Sequence, residues 1–318
     1  MKAIHVNWTA PFFAKNTDEH YELSDYQLLY TILSALRWKH HNGPIKLYTD
    51  SVGMSYYKQQ GILHVYDEVN ILALNSLDGI NAGEFWTSGK VHALEHETEP
   101  FVFVDQDFII RSKIEDRFYQ TDLTVAHWEI PRGETYCGSK EEWNRKIRHV
   151  KFPLDYDLDA YSPNTCFVCY NNLDVVKEYV DWHKKLINTS DKNLPGWFWL
   201  VADQGILGHL IRQKKLNVQT LTDRVYVPYS NFYPTKEIAT EFLKGNPHQW
   251  HLPLEFDKTK EQLEWEHIWL AKIVSRDNPE VIHQESQRYF DEIWALGGKN
   301  YLYHYRFSKY WNKEKHGK

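Results

Sequence analysis

Two carboxylates one residue apart, Asp105 and Asp107, close the apolar run Phe101-Val102-Phe103-Val104, and Phe108-Ile109-Ile110 follows them. β-Branched and aromatic residues in that order predict a buried strand ended by a charged turn. An unpaired carboxylate at a core strand end is costly, and two held so close repel each other unless a cation sits beside them. A divalent metal answers both problems. Mg²⁺ and Mn²⁺ take Asp oxygens, with water and phosphate oxygens completing the shell, so the Asp-x-Asp predicts a metal-bridged diphosphate at the carboxyl end of a strand. The competing reading, two solvated aspartates capping a turn, is disfavoured by so hydrophobic a strand in front of them.

Four other groups have side chains suited to chemistry. Lys90 lies on a predicted helix over 85–94 that precedes the central strand, where it reads either as a phosphate or sugar contact or as a solvated lysine. Asp203 and Gln204 stand near the start of a helix opened by the aromatic run from Trp197, where an Asp also serves as a cap. His248 and His251 put two imidazoles into a Pro/Gly loop over 245–252. Cys166 and Cys169 have the spacing of a zinc or redox pair but no second pair, and strand alternation would put the sulfurs on opposite faces, so they read as buried structural thiols. No Ser-His-Asp order, Walker loop or G-x-G-x-x-G after the first strand supports acyl transfer, ATP hydrolysis or a Rossmann cofactor.

These residues need a scaffold, and the chain supplies the rhythm of one. A strand over 3–8, a helix over 24–38 capped by Ser24, a strand over 45–50 ending in Asp50, a helix over 52–60 and a third strand over 62–66 predict parallel crossover units. Beyond the Asp-x-Asp come strands over 123–127 and 164–171, a helix over 173–187 and a late strand over 225–228. Residues 129–163, rich in charge and aromatics, suit an acceptor-side flap.

The 318 residues can bury a large core without staples, and 37 Lys+Arg against 43 Asp+Glu, net −6, argue against nucleic-acid binding by the whole surface. Three cysteines without a framework spacing and an N-terminus without an apolar signal region predict a cytoplasmic protein, and no apolar run reaches membrane-spanning length. Thirteen Trp, 21 Tyr and 15 Phe are an unusual aromatic load suited in part to stacking on sugars. The basic, aromatic terminus from Lys299 onward resembles a peripheral membrane contact at the inner face, or a tail packed on the domain.

In this order the signals resemble the GT-A fold glycosyltransferases, most nearly the family 8 type of bacterial sugar transferases. The resemblance rests on the first strand, Asp105-Gln106-Asp107, the Asn-led strand from Asn164, the Asp203-Gln204 pair and a late histidine. It implies an α/β fold, GT-A-like, with a mixed, mostly parallel central sheet flanked by helices and the D-x-D at the end of a central strand. It divides the chain into a transferase domain over 1–255 and a helical, aromatic and basic extension over 256–318. It further implies a donor site built from Trp8, Thr9, Asp50, Lys90, Gln106, Asn164 and Lys258, and Mn²⁺ or Mg²⁺ held by Asp105, Asp107 and one histidine. His251 is chosen over His248 because Trp250 and Leu252 would anchor it. Asp203 and Gln204 become the catalytic pair, with Gln204 beside the anomeric carbon.

The family usually runs from that histidine through a Gly to Lys-Pro-Trp, whereas His251 leads into Leu252-Pro253-Leu254-Glu255-Phe256-Asp257-Lys258. The activity implied is transfer of a sugar from a nucleotide diphosphate donor, a UDP-sugar, to a glycan or lipid-linked acceptor. Retention is favoured by the likeness and by Gln204; inversion through an acid within 129–157 stays open. Two rivals are a metal-dependent phosphohydrolase, whose D-x-D normally lies near the N-terminus, and a non-catalytic sugar- or nucleotide-binding protein on the same scaffold.

Overall fold

The computed structural model describes residues 1–17, 20–77, 79–110, 112–129, 141, 145, 160–189, 198–221, 225–226 and 279–298. Its centre is a sheet of seven strands in the order β3-β2-β1-β4-β8-β5-β9. β1 (Ala3–Asn7) lies parallel between β2 (Ile45–Thr49) and β4 (Phe101–Val104), and β3 (Glu68–Asn70) extends the β2 side. On the other side β8 (Phe167–Tyr170) runs antiparallel to both β4 and β5 (Leu123–Val125), and β9 (Val218–Thr220) is parallel to β5. Three short strands, β6 (Trp128–Glu129), β7 (Ser162–Pro163) and β10 (Val225–Tyr226), make a second small sheet. The expected α/β class, a mostly parallel mixed sheet flanked by helices with the D-x-D past the end of a central strand, is the one observed.

β4 explains why the sheet is covered on both faces. All four residues are buried, and by strand alternation Val102 and Val104 join one apolar layer while Phe101 and Phe103 join the other. The first layer is closed by α2 (Asp25–His41), which contributes Leu29, Ile32, Leu33 and Trp38. Ser24 caps its start as expected, and the cap is reciprocal: the hydroxyl accepts from the Gln27 N–H, and the Gln27 amide oxygen accepts from the Ser24 N–H. The second layer is closed by α5 (Ser88–Leu94), α6 (Leu173–Thr189) and α8 (Ile206–Lys214), through residues such as Val91, Val176 and Leu207. The helices α1 (Ala10–Lys15), α3 (Ser51–Gln59), α4 (Leu72–Asn75) and α7 (Phe198–Leu200) lie between these elements in sequence. α9 (Pro279–Ala295) packs on α2, burying Phe290 and Ile293 in the first layer and pairing Glu292 with Arg37.

The expected strand over 62–66 is instead a 3₁₀ turn at Leu63–Val65, and the third strand is Glu68–Asn70. Ile62, Val65 and Tyr66 are buried at helical spacing, held by i→i+3 bonds from the Val65 and Tyr66 N–H groups. The strand that follows lies at the sheet edge, where Glu68 and Val69 face solvent and no apolar alternation is needed. Among the described residues no helix is long and apolar enough to cross a membrane.

Candidate active site

Asp105 and Asp107 are half-buried just past the carboxyl end of β4. The Asp105 N–H donates to the Cys166 carbonyl at 2.7 Å, and its own carbonyl accepts from the Phe108 N–H at 2.9 Å, closing a tight turn around the motif. Gln106, between the carboxylates, sends its amide to the Tyr57 hydroxyl at 2.9 Å. A buried relay fixes the far side of the turn. Ser34 on α2 donates to the Phe108 carbonyl at 2.7 Å, which leaves its oxygen to accept from His5 Nε2 at 3.2 Å, while His5 Nδ1 accepts from the Tyr66 hydroxyl at 3.1 Å. His5 is therefore the neutral Nε2–H tautomer, assigned from its partners. Burial holds its pKa down at about 3, although the Asp105 carboxylate pulls it upward.

The loops after β1 and β2 close on one another. The Thr9 N–H and hydroxyl both donate to Asp50 Oδ2, at 2.7 and 2.8 Å, and Asp50 Oδ1 accepts from the Gly53 N–H at 2.8 Å to cap α3. A Cβ on Gly53 would lie 2.1 Å from the Thr49 hydroxyl, so only glycine lets α3 come this close to the strand ends. Trp8 approaches α5 in the same way: a Cβ on Gly89 would lie 2.5 Å from the Trp8 Cβ.

Lys90 and Asp203, 113 residues apart, meet at 3.3 Å and are both buried. The Lys90 ammonium also donates to the Thr165 carbonyl and hydroxyl, each at 2.7 Å, and lies 4.4 Å from the Phe103 ring centre. Asp203 Oδ2 accepts from Thr165 at 3.0 Å, and Oδ1 accepts from the Tyr179 hydroxyl at 2.7 Å. Burial, reinforced by the Asp203 charge, pushes the Tyr179 phenol well above its ordinary range, so it stays a neutral donor. Asp203 does not sit at a helix start capping its own N–H groups. It lies in a π-helical turn, Val201–Gly205, with helical residues on both sides.

α6 braces that turn twice, four residues apart: Tyr179 holds Asp203, and His183 Nδ1 donates to the Ala202 carbonyl at 2.8 Å while Nε2 accepts from Ser88 at 2.9 Å. π-Turns inside helices are costly and recur at functional sites. Gln204, in this turn, is 8% exposed and has no hydrogen-bond partner among the described residues.

Asn164, at the mouth of β8, accepts from the Cys166 N–H at 2.9 Å and donates to Glu129 Oε1 at 2.7 Å; His127 Nε2 lies 3.3 Å from the same oxygen. Glu129 and His127 are buried. Sequence reading named Glu129 only as the first residue of a flap and of the stretch searched for an acid. It singled out none of His5, Thr165, Tyr179 and His183. The one sequence signal available was the Tyr179–His183 spacing on the inward side of α6.

Cys166 and Cys169 are free, buried thiols. They do not fall on opposite faces; both join the first apolar layer, because Cys166 precedes the strand and escapes its alternation. Burial pushes the Cys169 thiol up to about 12. His248, His251 and Lys258 lie outside the described residues, as does the terminus from Lys299. Among the described residues no three His, Cys, Asp or Glu side chains gather to hold a metal. The oxygen pair of Asp105 and Asp107 nevertheless fits Mg²⁺ or Mn²⁺, which take carboxylates with water or phosphate for the remaining positions.

The buried histidines make a pH prediction. His5 and His92 are held down at about 3 and His183 is also lowered, in each case chiefly by burial, whereas an unfolded imidazole titrates at 6.5. Between those values the unfolded chain binds more protons, so stability rises with pH across the window and is lost on acidification, by about 1.4 kcal/mol per pH unit for each fully buried imidazole. Thermal unfolding scanned from about pH 7.5 down to about pH 4.5 should show the melting temperature falling steadily below about pH 6.5. A flat profile would mean that these rings are not held neutral.

A family model described as "Family of unknown function (DUF6734)" matches residues 1–285, and the chain belongs to that family. No curated protein matches the sequence. Similar solved structures include the nucleoside-diphosphate-sugar pyrophosphorylase from Vibrio cholerae RC9, 14% identical with a TM-score of 0.38, the match covering 72% of this chain and 93% of that one. Another is the galactosyltransferase LgtC in complex with donor and acceptor sugar analogues, 9% identical with a TM-score of 0.37, covering 70% and 73%. A third is mouse xyloside xylosyltransferase 1, 11% identical with a TM-score of 0.35, covering 70% and 85%.

Proposed function

We propose that this protein is a metal-dependent glycosyltransferase that moves a sugar from a nucleotide diphosphate donor, a UDP-sugar, to a glycan or lipid-linked acceptor. The observation that carries the reading is the convergence at one edge of the sheet. Two half-buried carboxylates lie past β4, and the segment leading into β8, the strand antiparallel to it, carries Thr165, which binds both Lys90 and Asp203. Next in the chain to Asp203 is Gln204, whose amide has no partner among the described residues.

In this reading Asp105 and Asp107, with His251 as third ligand, hold Mn²⁺ or Mg²⁺, which when bound offsets the charge that grows on the departing diphosphate. Trp8, Thr9 and Asp50 shape the nucleoside end, and Lys258 meets a phosphate. Gln106 orients the motif through Tyr57. Lys90, Asn164 and Asp203 line the donor sugar, and Gln204 faces the anomeric carbon. Asp203 and Lys90 keep each other in place there, since neither charge is stable in that interior without the other.

Retention is the preferred stereochemistry. Buried Glu129 beside Asn164 supports a second reading, inversion with Glu129 as the base that takes the acceptor proton. The reducing cytoplasm suits its free thiols, and its basic aromatic terminus would meet the inner face of the membrane.

The test is incubation with a panel of UDP- and GDP-sugars with and without Mn²⁺. Slow, metal-dependent release of UDP and free sugar is expected. Phosphate release from simple phosphomonoesters would favour a phosphohydrolase, and binding without turnover would favour a non-catalytic protein. The anomeric configuration of the transferred sugar by NMR separates retention from inversion.

A further inference from the structure

Trp86 and Trp199 are not absorbed by this account. Trp86 is 40% exposed, and its ring lies 4.6 Å from that of half-buried Trp199 at 52°. Trp86 stands four residues before Lys90, and Trp199 four residues before Asp203. Trp86 lies in the turn just before α5 and Trp199 in α7 just before the π-turn, so each indole sits shortly upstream of one member of the Lys90–Asp203 pair. α5 runs into β4, so its N-terminal end, where Trp86 sits, lies over the carboxyl edge of the sheet, the edge that carries Asp105 and Asp107. The contact of Trp8 with Gly89, next to the start of α5, marks the same rim. Lys15, at the end of α1, places its ammonium 5.9 Å from the Trp86 ring.

An indole 40% exposed beside a second, tilted indole offers apolar, flat surface, and its π-cloud attracts the weakly positive C–H groups that cover one face of a pyranose ring. A lysine ammonium over that ring, as Lys15 is, adds donors for ring hydroxyls. In the chain Trp86 and Trp199 adjoin Lys90 and Asp203, the residues given to the donor sugar, while Trp8, given to the nucleoside end, packs on Gly89 of the same stretch. We infer that Trp86 and Trp199 form an acceptor platform on which a pyranose ring of the glycan acceptor stacks, beside the Lys15 ammonium. The inference rests on the glycosyltransferase reading for the direction of the donor.

The experiment uses the full chain, with p-nitrophenyl α- and β-hexopyranosides as acceptor probes and the UDP-sugar that the wild type hydrolyses as donor. Trp86→Ala, at an exposed position, is expected to melt near wild type, hydrolyse donor at the wild-type rate and bind UDP unchanged. Its KM for the transferred-to pyranoside should rise about tenfold or more with kcat retained, the pattern of lost uniform binding. Trp86→Phe, which keeps an aromatic face, should recover most of that loss.

An unchanged acceptor KM in Trp86→Ala overturns the inference, and so does a parallel loss of UDP affinity, which would make the platform a nucleobase site. Quenching of indole fluorescence by the same pyranosides gives a readout that needs no turnover. If quenching is present in the wild type and lost in Trp86→Ala while no UDP-sugar is hydrolysed, the pyranose site stands and the transferase reading falls. If no pyranoside is transferred or quenches, the platform is wrong.

Discussion

Asp107→Asn is expected to abolish metal-dependent UDP binding while leaving the protein folded. The residue lies beyond the end of β4, half-buried and outside both apolar layers, so the substitution removes a charge without touching a core contact. Asn retains the shape of the side chain and one carbonyl oxygen, but a hard divalent cation bound by few protein ligands depends on their negative charge. Titration calorimetry of UDP with and without Mn²⁺ is the measurement. Wild-type affinity in a folded Asp107→Asn protein would remove the metal from the proposal. Asp105→Asn is a less clean probe, because the Asp105 carboxylate also acts on His5, and its loss would disturb the relay through Ser34 and Phe108 as well as the metal.

How legible this was in the sequence depended on how local each signal is. β4 and its charged end could be read because a strand buried on both faces must be apolar throughout, and a break in that run is visible without a fold. Ser24 could be read because capping depends on residues three apart. The edge strand Glu68–Asn70 could not, since an edge exposed to water needs no pattern, and the apolar residues before it belong to a 3₁₀ turn. The bracing of the π-turn was also hidden. Tyr179 and His183 share the inward face of α6, and nothing in that spacing tells a phenol that reaches Asp203 from one that fills a core. Lys90 and Asp203 were both singled out, but their pairing across 113 residues belongs to the tertiary fold, as does the Glu129–Asn164 contact.

That pairing sets the last prediction, in which neighbouring residues differ in their effect on stability. Asp203→Asn leaves the Lys90 ammonium buried beside a neutral amide, with Thr165 as its remaining partner in this cluster. Removing one partner of a buried ion pair costs on the order of 3 kcal/mol, because the other charge stays desolvated and uncompensated. Denaturant unfolding should show that loss, and turnover should fall with it as the π-turn loosens. Adding Lys90→Met should return much of the stability, since the stranded charge is gone, but should return no activity. Gln204→Ala should lower turnover alone. Its amide has no partner among the described residues, so the fold loses little, yet turnover of the UDP-sugar should drop by a factor on the order of ten to a thousand, as when an interaction made mainly in the transition state is removed. Wild-type stability in Asp203→Asn would show that the Lys90 pair does not hold the turn, and wild-type turnover in Gln204→Ala would take that amide out of the chemistry. Equal losses of UDP affinity and turnover in Gln204→Ala would move it from the sugar to the nucleotide.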